Sequence, residues 1–575
     1  MTVVATAGHV DHGKSSLVSV LTGVDPDRWE EEKVRGLTID LGFGSMKLRS
    51  GRELSFIDVP GHIRFIRNML AGVGAVDGSL FVVSAVEGWK PQSEEHLRIL
   101  EMLGIKRGIV ALTKLDLVDE DLLMLAEMDV EEHVAGTFLE GAPVIGVSAH
   151  DRTGLDELGV ALDLLVDEVT KNAEESGTPR LWVDRSFAPA GAGTVVTGTL
   201  VGGSINVGDE LTSMPGNERA RIRSLQSHHR QVNTIKGGNR AAVNLTGVSH
   251  HSLGRGHVLV NAGDWHETST VDAELTVLEK LDHPLTRRGA YVAYLGSAAL
   301  QAKIRVLGDA EELAPGESGA VRLYLNRPII VLPGDRFVLR ESGREETVGG
   351  GEILDVDPVL SAVQARPDRD INRVVSERGW VDVDHLARLT GQRFEPTVGN
   401  WVVSGDELAR SVETVTAAIS DAGALGLDVA SLDERQRAIL GIIDEAIVEA
   451  GRVVLGEAPD PLADHPWVKE LNESPWTPPG PDGIDRGEVR ELVRRGLVIE
   501  SEGIFFTADA VERAAKLIAK ALASQPSGLT VSEVRKLLDT TRKFALPLLA
   551  RLDQTGVTRR RDNVRIGGPR LPAAG

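Results

Sequence analysis

The sequence predicts a multidomain protein: a doubly wound α/β domain, two small antiparallel β-barrels, and a mainly helical array of winged-helix units. Three observations carry this. Up to about residue 172, short β-branched runs alternate with helical stretches. From residue 179 the hydrophobic period falls to two, and short strands alternate with Gly-rich turns. Beyond Pro367 short amphipathic helices take over, ending in a helix–turn–helix with a basic hairpin after it. The expected boundaries are 1–172, 179–263, 264–366, 367–432, 433–511 and 512–570.

In the first domain, Thr2–Ala7, Ser55–Val59, Ser79–Ser84, Gly108–Thr113 and Pro143–Ser148 read as buried strands, and Ile63–Ala71, Ser93–Leu103 and Asp119–His133 as helices. Ligands of such sheets lie at the carboxyl ends of the strands. There Gly8–Ser15, GHVDHGKS, separates the first strand from a helix with Leu17, Val20 and Leu21 on one face. In that setting G-x-x-x-x-G-K-[ST] makes a P-loop. Its backbone N–H groups face phosphates at the positive end of a helix. Asp11, His12, Gly13, Lys14, Ser15 and Ser16 are the candidate nucleotide contacts here. Lys14 would reach the β- and γ-phosphates, and Ser15 would place a hydroxyl on Mg²⁺.

Further motifs follow in order. Asp58-Val59-Pro60-Gly61 offers a carboxylate for Mg²⁺ and, at Gly61, an N–H that can sense a γ-phosphate. In Arg35-Gly36-Leu37-Thr38-Ile39, Thr38 would join the Mg²⁺ when that phosphate is present, as an order–disorder switch. Thr113-Lys114-Leu115-Asp116 places Asp116 to accept from guanine N1–H and the 2-amino group, with Lys114 along the base. Ser148-Ala149-His150 would add an N–H to guanine O6. Each short motif alone equals an ordinary turn; their order and spacing from Lys14 favour a guanine nucleotide.

The barrel strands are expected at Leu181–Phe187, Val195–Val201, Ala220–Leu225 and Arg240–Leu245, then at Val271–Leu278, Tyr291–Leu295, Ala302–Val306, Ala320–Leu325 and Arg336–Arg340. Amphipathic helices follow at Val383–Leu389, Glu407–Ile419, Glu434–Glu449, Arg486–Arg494 and Ala510–Leu522. The terminal unit pairs helices Val531–Leu538 and Thr541–Leu552 with a hairpin turning at Arg561-Asp562-Asn563. Pro547 implies a kink in its second helix. A fainter echo of the unit runs from Gly487 to Phe506.

Composition bounds the function. The 575 residues are 42% hydrophobic and contain no cysteine, which excludes disulfides, cysteine-ligated zinc and thiol catalysis. No basic-then-apolar leader and no long uncharged apolar run is present, so a cytoplasmic protein without membrane contact is expected. The net charge of −22 argues against nucleic acid, but the average conceals a basic end. Between Arg535 and Arg570 ten Lys/Arg face three Asp. A solvated surface would also explain such a run.

GHVDHGKS, RGLTID, DVPGH, TKLD and SAH together resemble the nucleotide motifs of the translational GTPases, and the resemblance covers the whole chain. Within them Thr38–Gly42, Asn68–Gly74, Asp184–Phe187 and Thr541–Leu549 are similar to the selenocysteine-specific elongation factors. Arg340, Thr347 and Gly349–Gly351 resemble the end of the third domain in factors that carry aminoacyl-tRNA. The resemblance implies a monomeric GTPase using GTP and Mg²⁺, with selenocysteyl-tRNA, an mRNA recoding hairpin and the ribosome as partners. It implies that His62 positions the attacking water, held back beforehand by Val10 and Ile39. Asp184, Arg185 and Arg240 match the pocket for the aminoacyl end, although a strand-pair salt bridge would look the same. Arg542, Lys543, Arg559, Arg560, Arg561 and Arg565 are candidates for RNA phosphates. Thr113 stands where most GTPases carry Asn, and Val34 where a charged residue is usual; the first implies weaker support for the base loop. A GTP-regulated RNA- or DNA-binding protein carrying no tRNA is the competing reading, and a partner subunit of a nucleotidyl-transfer system is a third.

Overall fold

The computed structural model describes residues 2–26, 38–62, 68–70, 76–171, 177–191, 193–227, 230–456, 462 and 464–573. The expected Arg35-Gly36-Leu37 segment with Val34, most of the expected Ile63–Ala71 helix and its continuation to Gly74, and most of the linker after Lys171 lie outside them. The chain forms two compact units, Met1–Glu407 and Leu408–Gly575.

The first unit begins with a six-stranded sheet of β1 (Thr2–Ala7), β2 (Gly42–Lys47), β3 (Glu53–Asp58), β4 (Gly78–Ser84), β5 (Gly108–Thr113) and β6 (Val144–Gly146), ordered β2-β3-β1-β4-β5-β6. All neighbours are parallel except β2, an antiparallel edge with Gly42 opposite Asp58. Helices α1 (Lys14–Thr22), α2 (Pro91–Met102), α3 (Glu120–Val134) and α4 (Leu155–Lys171) accompany it. Both faces are covered, so β1, β4 and β5 are buried throughout, which is why their sequences read as near-continuous apolar runs. Strand order reverses about β1, and the P-loop leaves that strand at the switch point.

Two antiparallel barrels follow. In the first, Glu210–Met214, Val258–Val260, Arg180–Phe187, Thr194–Val201, Asn239–Thr246 and Glu218–Ser227 form a ring, closed where Glu210–Met214 pairs with Glu218–Ser227. The second is closed by six strands, the last being the Gly-rich Glu346–Asp355. Its core continues into Val374, Val375, Val381, Leu386 and Leu389, so the short helices after Pro367 pack on this barrel.

The second unit contains helix Gly405–Asp421 beyond Glu407, then small helices and hairpins. The helix expected over Glu434–Glu449 stops at Ile439, and Ala446–Glu449 is a strand paired with Arg452–Leu455. Ala450 and Gly451, both with positive φ, make the tight turn between two β-branched runs, a geometry that matches the twist of a hairpin. The end of the chain comprises helices Ala508–Ser524, Val531–Leu537 and Arg542–Gln554 with a three-stranded sheet of Leu529–Thr530, Val564–Gly567 and Thr558–Arg561. Helix Arg542–Gln554 runs through Pro547, whose carbonyl accepts from Ser501 Oγ at 2.8 Å. Ile518, Val534, Leu548, Leu549 and Leu552 form the core, joined by Phe506 from the preceding hairpin.

Candidate functional site

Gly8 leaves β1 with φ 128°, and a Cβ there would lie 2.0 Å from the Val82 carbonyl, so only glycine permits the turn. Gly13, at φ 86°, starts α1. Two side chains on α2 pin the loop from behind. His96 Nδ1 accepts from Gly8 N at 3.1 Å, and Gln92 Oε1 accepts from Val10 N at 3.2 Å. Burial first, then the Lys14 charge, pushes the His96 pKa down to about 3, so the ring is a neutral acceptor. His12 is also buried, and burial chiefly lowers it to about 4. Asp11 and Ser16 are exposed at the rim.

Lys14 donates to the carbonyls of Gly8 and His9 at 3.0 and 2.6 Å. Next to it three hard oxygens converge: Ser15 Oγ is 2.8 Å from Thr38 Oγ1 and 2.7 Å from Asp58 Oδ2. Asp58 is buried and oriented by Thr6 Oγ1 at 2.7 Å. Hydroxyl, hydroxyl and carboxylate beside a lysine fit a Mg²⁺–phosphate ligand. Gly61 packs so closely that a Cβ would meet Lys14 Nζ at 2.5 Å and Val10 N at 2.8 Å. His62 follows it, half-buried, as are Val10 and Ile39.

At the base end, Ser148 Oγ donates to Asp116 Oδ1 at 2.8 Å and accepts from His150 N at 3.2 Å, tying the two loops together with Ala149 between them. The Thr113 hydroxyl donates to the His12 carbonyl at 2.6 Å and so joins base loop to P-loop. Lys114 sits at φ 63° with Nζ 2.7 Å from Glu87, a partner the sequence did not reveal.

Asp184, Arg185 and Arg240 come together on the first barrel, where a register shift between Val183 and Arg185 breaks the alternation of the strand. Asp184 is buried and accepts two bonds from Arg240, at 2.5 and 3.1 Å, and one from Thr197 Oγ1 at 2.6 Å. Burial opposes its charge, but Arg240 and these bonds together outweigh it and hold the carboxyl below its ordinary range. The Arg240 guanidinium lies 3.6 Å from the centroid of Phe43 on β2. Arg185 donates to Asp40 at 3.0 Å and to the Leu41 carbonyl at 2.6 Å. A cavity of about 430 Å³ opens beside Arg185, Arg240, Phe43, Thr197 and Gln226.

In the terminal unit Arg559, Arg560 and Arg561 are exposed on the hairpin, and Arg542 and Lys543 are exposed on the first turn of helix Arg542–Gln554. Cations there oppose the helix dipole, so they do not serve the helix itself. Arg565 departs from the expected phosphate-binding set. It is buried and donates to Asp553 at 3.3 Å, because its strand position points back toward the helix. Sequence reasoning also missed Asp40, Phe43, His96 and Arg255, whose partners lie far away in the chain.

The elongation factor Tu GTP-binding domain family matches residues 1–171, and its domain 2 family matches 193–260. The β-barrel family of selenocysteine-specific elongation factors matches 272–359, and the winged helix of elongation factor SelB matches 520–566. The chain is 32% identical to the selenocysteine-specific elongation factor of Desulfomicrobium baculatum, over 97% of this chain and 98% of that one. With the Escherichia coli K12 factor it shares 29%, over 98% of both. The crystal structure of a bacterial selenocysteine-specific elongation factor, EF-Sec, superposes with TM-score 0.72 at 26% identity, covering 99% of this chain and 100% of that one. SelB of Methanococcus maripaludis in complex with the GTP analogue GppNHp gives 0.53 at 27%, over 62% and 80%.

Proposed function

The chain belongs to the selenocysteine-specific elongation factors, and from that premise we propose that it is a GTPase that delivers selenocysteyl-tRNA to the ribosome at an mRNA recoding hairpin. The observation that carries the reading is the meeting of Ser15, Thr38 and Asp58 beside Lys14, in the same body as the Asp184–Arg240 pocket.

GTP or GDP binds with its phosphates over the P-loop and its base at Asp116 and Ser148–Ala149. Ser15, Thr38 and Asp58 would hold Mg²⁺, which would supply charge neutralisation for the phosphates. Gly61 offers its N–H to the γ-phosphate, and His62 orients the attacking water. Arg240 and Arg185 present positive charge to the aminoacyl end. A selenol ionises more readily than a hydroxyl, so this field selects selenocysteyl over seryl ends. Exposed Arg542, Lys543 and Arg559–Arg561 meet phosphates of the RNA hairpin, which is read by shape and loop bases. No helix among the described residues is long and apolar enough to cross a membrane. The protein acts as a monomer.

The test is equilibrium binding of selenocysteyl- and seryl-tRNA to the full chain with a non-hydrolysable GTP analogue and with GDP. The expected result is tight, GTP-dependent binding of selenocysteyl-tRNA, with discrimination against seryl-tRNA that falls at least tenfold in Arg240→Ala. Binding of the RNA hairpin without any tRNA affinity would instead favour a GTP-regulated RNA-binding protein.

A further inference from the structure

Asp40 lies two residues after Thr38, and its carboxylate is shared by two arginines of the first barrel. Oδ2 accepts from Arg185 and Oδ1 from Arg255, each at 3.0 Å. The rest of the Arg255 guanidinium is engaged too. Nη1 donates to Asn68 Oδ1 at 2.6 Å, and Nε points to the Asp184 carbonyl at 3.4 Å. Asn68 in turn donates to the Ile39 carbonyl at 2.7 Å. One planar side chain thus spans the segment carrying Thr38, the segment following His62, and the backbone of the residue that orients Arg240.

The chemistry suits a coupling element. Asp40 and Arg255 are about a quarter exposed, at 22% and 26% of their side-chain surface, so water screens the pair only partly. Arginine is required for the geometry, because a lysine point charge cannot meet three acceptors in one plane. The register shift at Asp184 lets neighbouring residues face different ways, Arg185 to Asp40 and Asp184 to Arg240. Phe43, under Arg240, belongs to the strand that begins two residues after Asp40.

We propose that Asp40 and Arg255, with Asn68, are positioning residues that make the aminoacyl pocket conditional on the nucleotide. Thr38 follows the γ-phosphate and its Mg²⁺; Asp40 moves with Thr38; Arg255 and Arg185 transmit that position to Asp184 and so to Arg240. This rests on the reading that the chain carries selenocysteyl-tRNA. Linkage makes the coupling reciprocal, so bound tRNA retains GTP by the factor that GTP retains tRNA.

The experiment measures selenocysteyl-tRNA affinity of full-length wild type, Arg255→Met and Arg255→Lys with the GTP analogue and with GDP, and the GTP dissociation rate with and without tRNA. For Arg255→Met the expected result is a fall of about tenfold or more in the ratio of GTP-state to GDP-state affinity. GDP-state tRNA affinity should stay within about twofold of wild type, and tRNA should slow GTP release less than it does in wild type. Arg255→Lys, which keeps the charge and protects against simple misfolding, should lose part of the ratio. An equal drop in both nucleotide states would overturn the proposal, since Arg255 would then only brace the barrel. So would an unchanged ratio. A wild type that binds tRNA in neither state would instead sink the functional reading.

Discussion

Two hairpin-bearing elements near the end of the chain use their arginines in opposite ways. In the earlier one, helix Arg486–Arg494 ends with Arg494 and Arg495 both bonded to Glu491, at 2.7 and 2.9 Å, and its hairpin carries Glu500 and Glu502 at the tip. In the terminal one, the corresponding strand is Thr558-Arg559-Arg560-Arg561, and no salt bridge among the described residues engages those three arginines. Both hairpins turn at a residue with positive φ, Glu502 in one and Asp562 in the other. Similar local scaffolds therefore present opposite fields. A guanidinium already held by a carboxylate must break that pair before it can meet a phosphate, whereas an exposed unpaired one releases only counterions from the RNA. On so acidic a chain, the terminal hairpin is thus the one of the two that presents exposed positive charge.

The strongest way to break this comparison is to discharge the terminal hairpin. Arg559, Arg560 and Arg561 all changed to Ala should lower affinity for the cognate mRNA hairpin by roughly 10²-fold or more near 0.15 M salt. The log–log salt dependence should become shallower by about 2 units. Thermal unfolding should be unaffected, because the three side chains are exposed. Glu500→Gln with Glu502→Gln should leave both quantities near wild type. If the salt slope of the triple variant matched that of the wild type, the assignment of the terminal hairpin would fail.

The same contrast explains what was readable in advance. β1, β4 and β5 announce themselves because a parallel strand covered on both faces is apolar along most of its length. β2, Gly-Phe-Gly-Ser-Met-Lys, does not: it is a half-covered edge whose register is set by β3. Strand Glu346–Asp355 hides behind Gly349–Gly351, whose glycines look like a turn. They are forced by crowding in the barrel, since a Cβ on Gly351 would come within 1.8 Å of the Glu274 carbonyl. In the nucleotide site, residues within one motif were legible. The contacts that brace it came from 88 residues away in His96 and 215 away in Arg255, and no local pattern marks them. Arg565 misled for the opposite reason: composition counts charge without regard to which face of a strand it occupies.

Arg565 supplies the second prediction. Its bond to Asp553, which also accepts from Thr558 Oγ1 at 2.5 Å, joins the inner strand of the hairpin to helix Arg542–Gln554. Both partners are largely covered, so Arg565→Ala leaves a half-buried carboxylate without its cation. The expected cost is about 1–3 kcal/mol, read as a lower urea midpoint for the transition of this unit. The salt slope of RNA binding should not change. A shallower slope with unaltered stability would return Arg565 to the phosphate-binding set.

The smallest effect concerns Glu491, the residue that neutralises the earlier unit. Its bonds to Arg494 outweigh the opposing effect of burial and, with Arg495, hold its pKa at about 2 against an ordinary 4.5. A depressed carboxylate contributes stability that is complete above about pH 4.5 and is lost as pH falls toward 2. Hydrogen exchange of the amides in 486–501, followed between pH 6 and pH 2.5 after correction for intrinsic rates, should therefore show protection declining more in wild type than in Glu491→Gln. Above pH 5 the wild type should be the better protected of the two. Identical exchange profiles across the acid range would mean that the Glu491 pairs carry no stability.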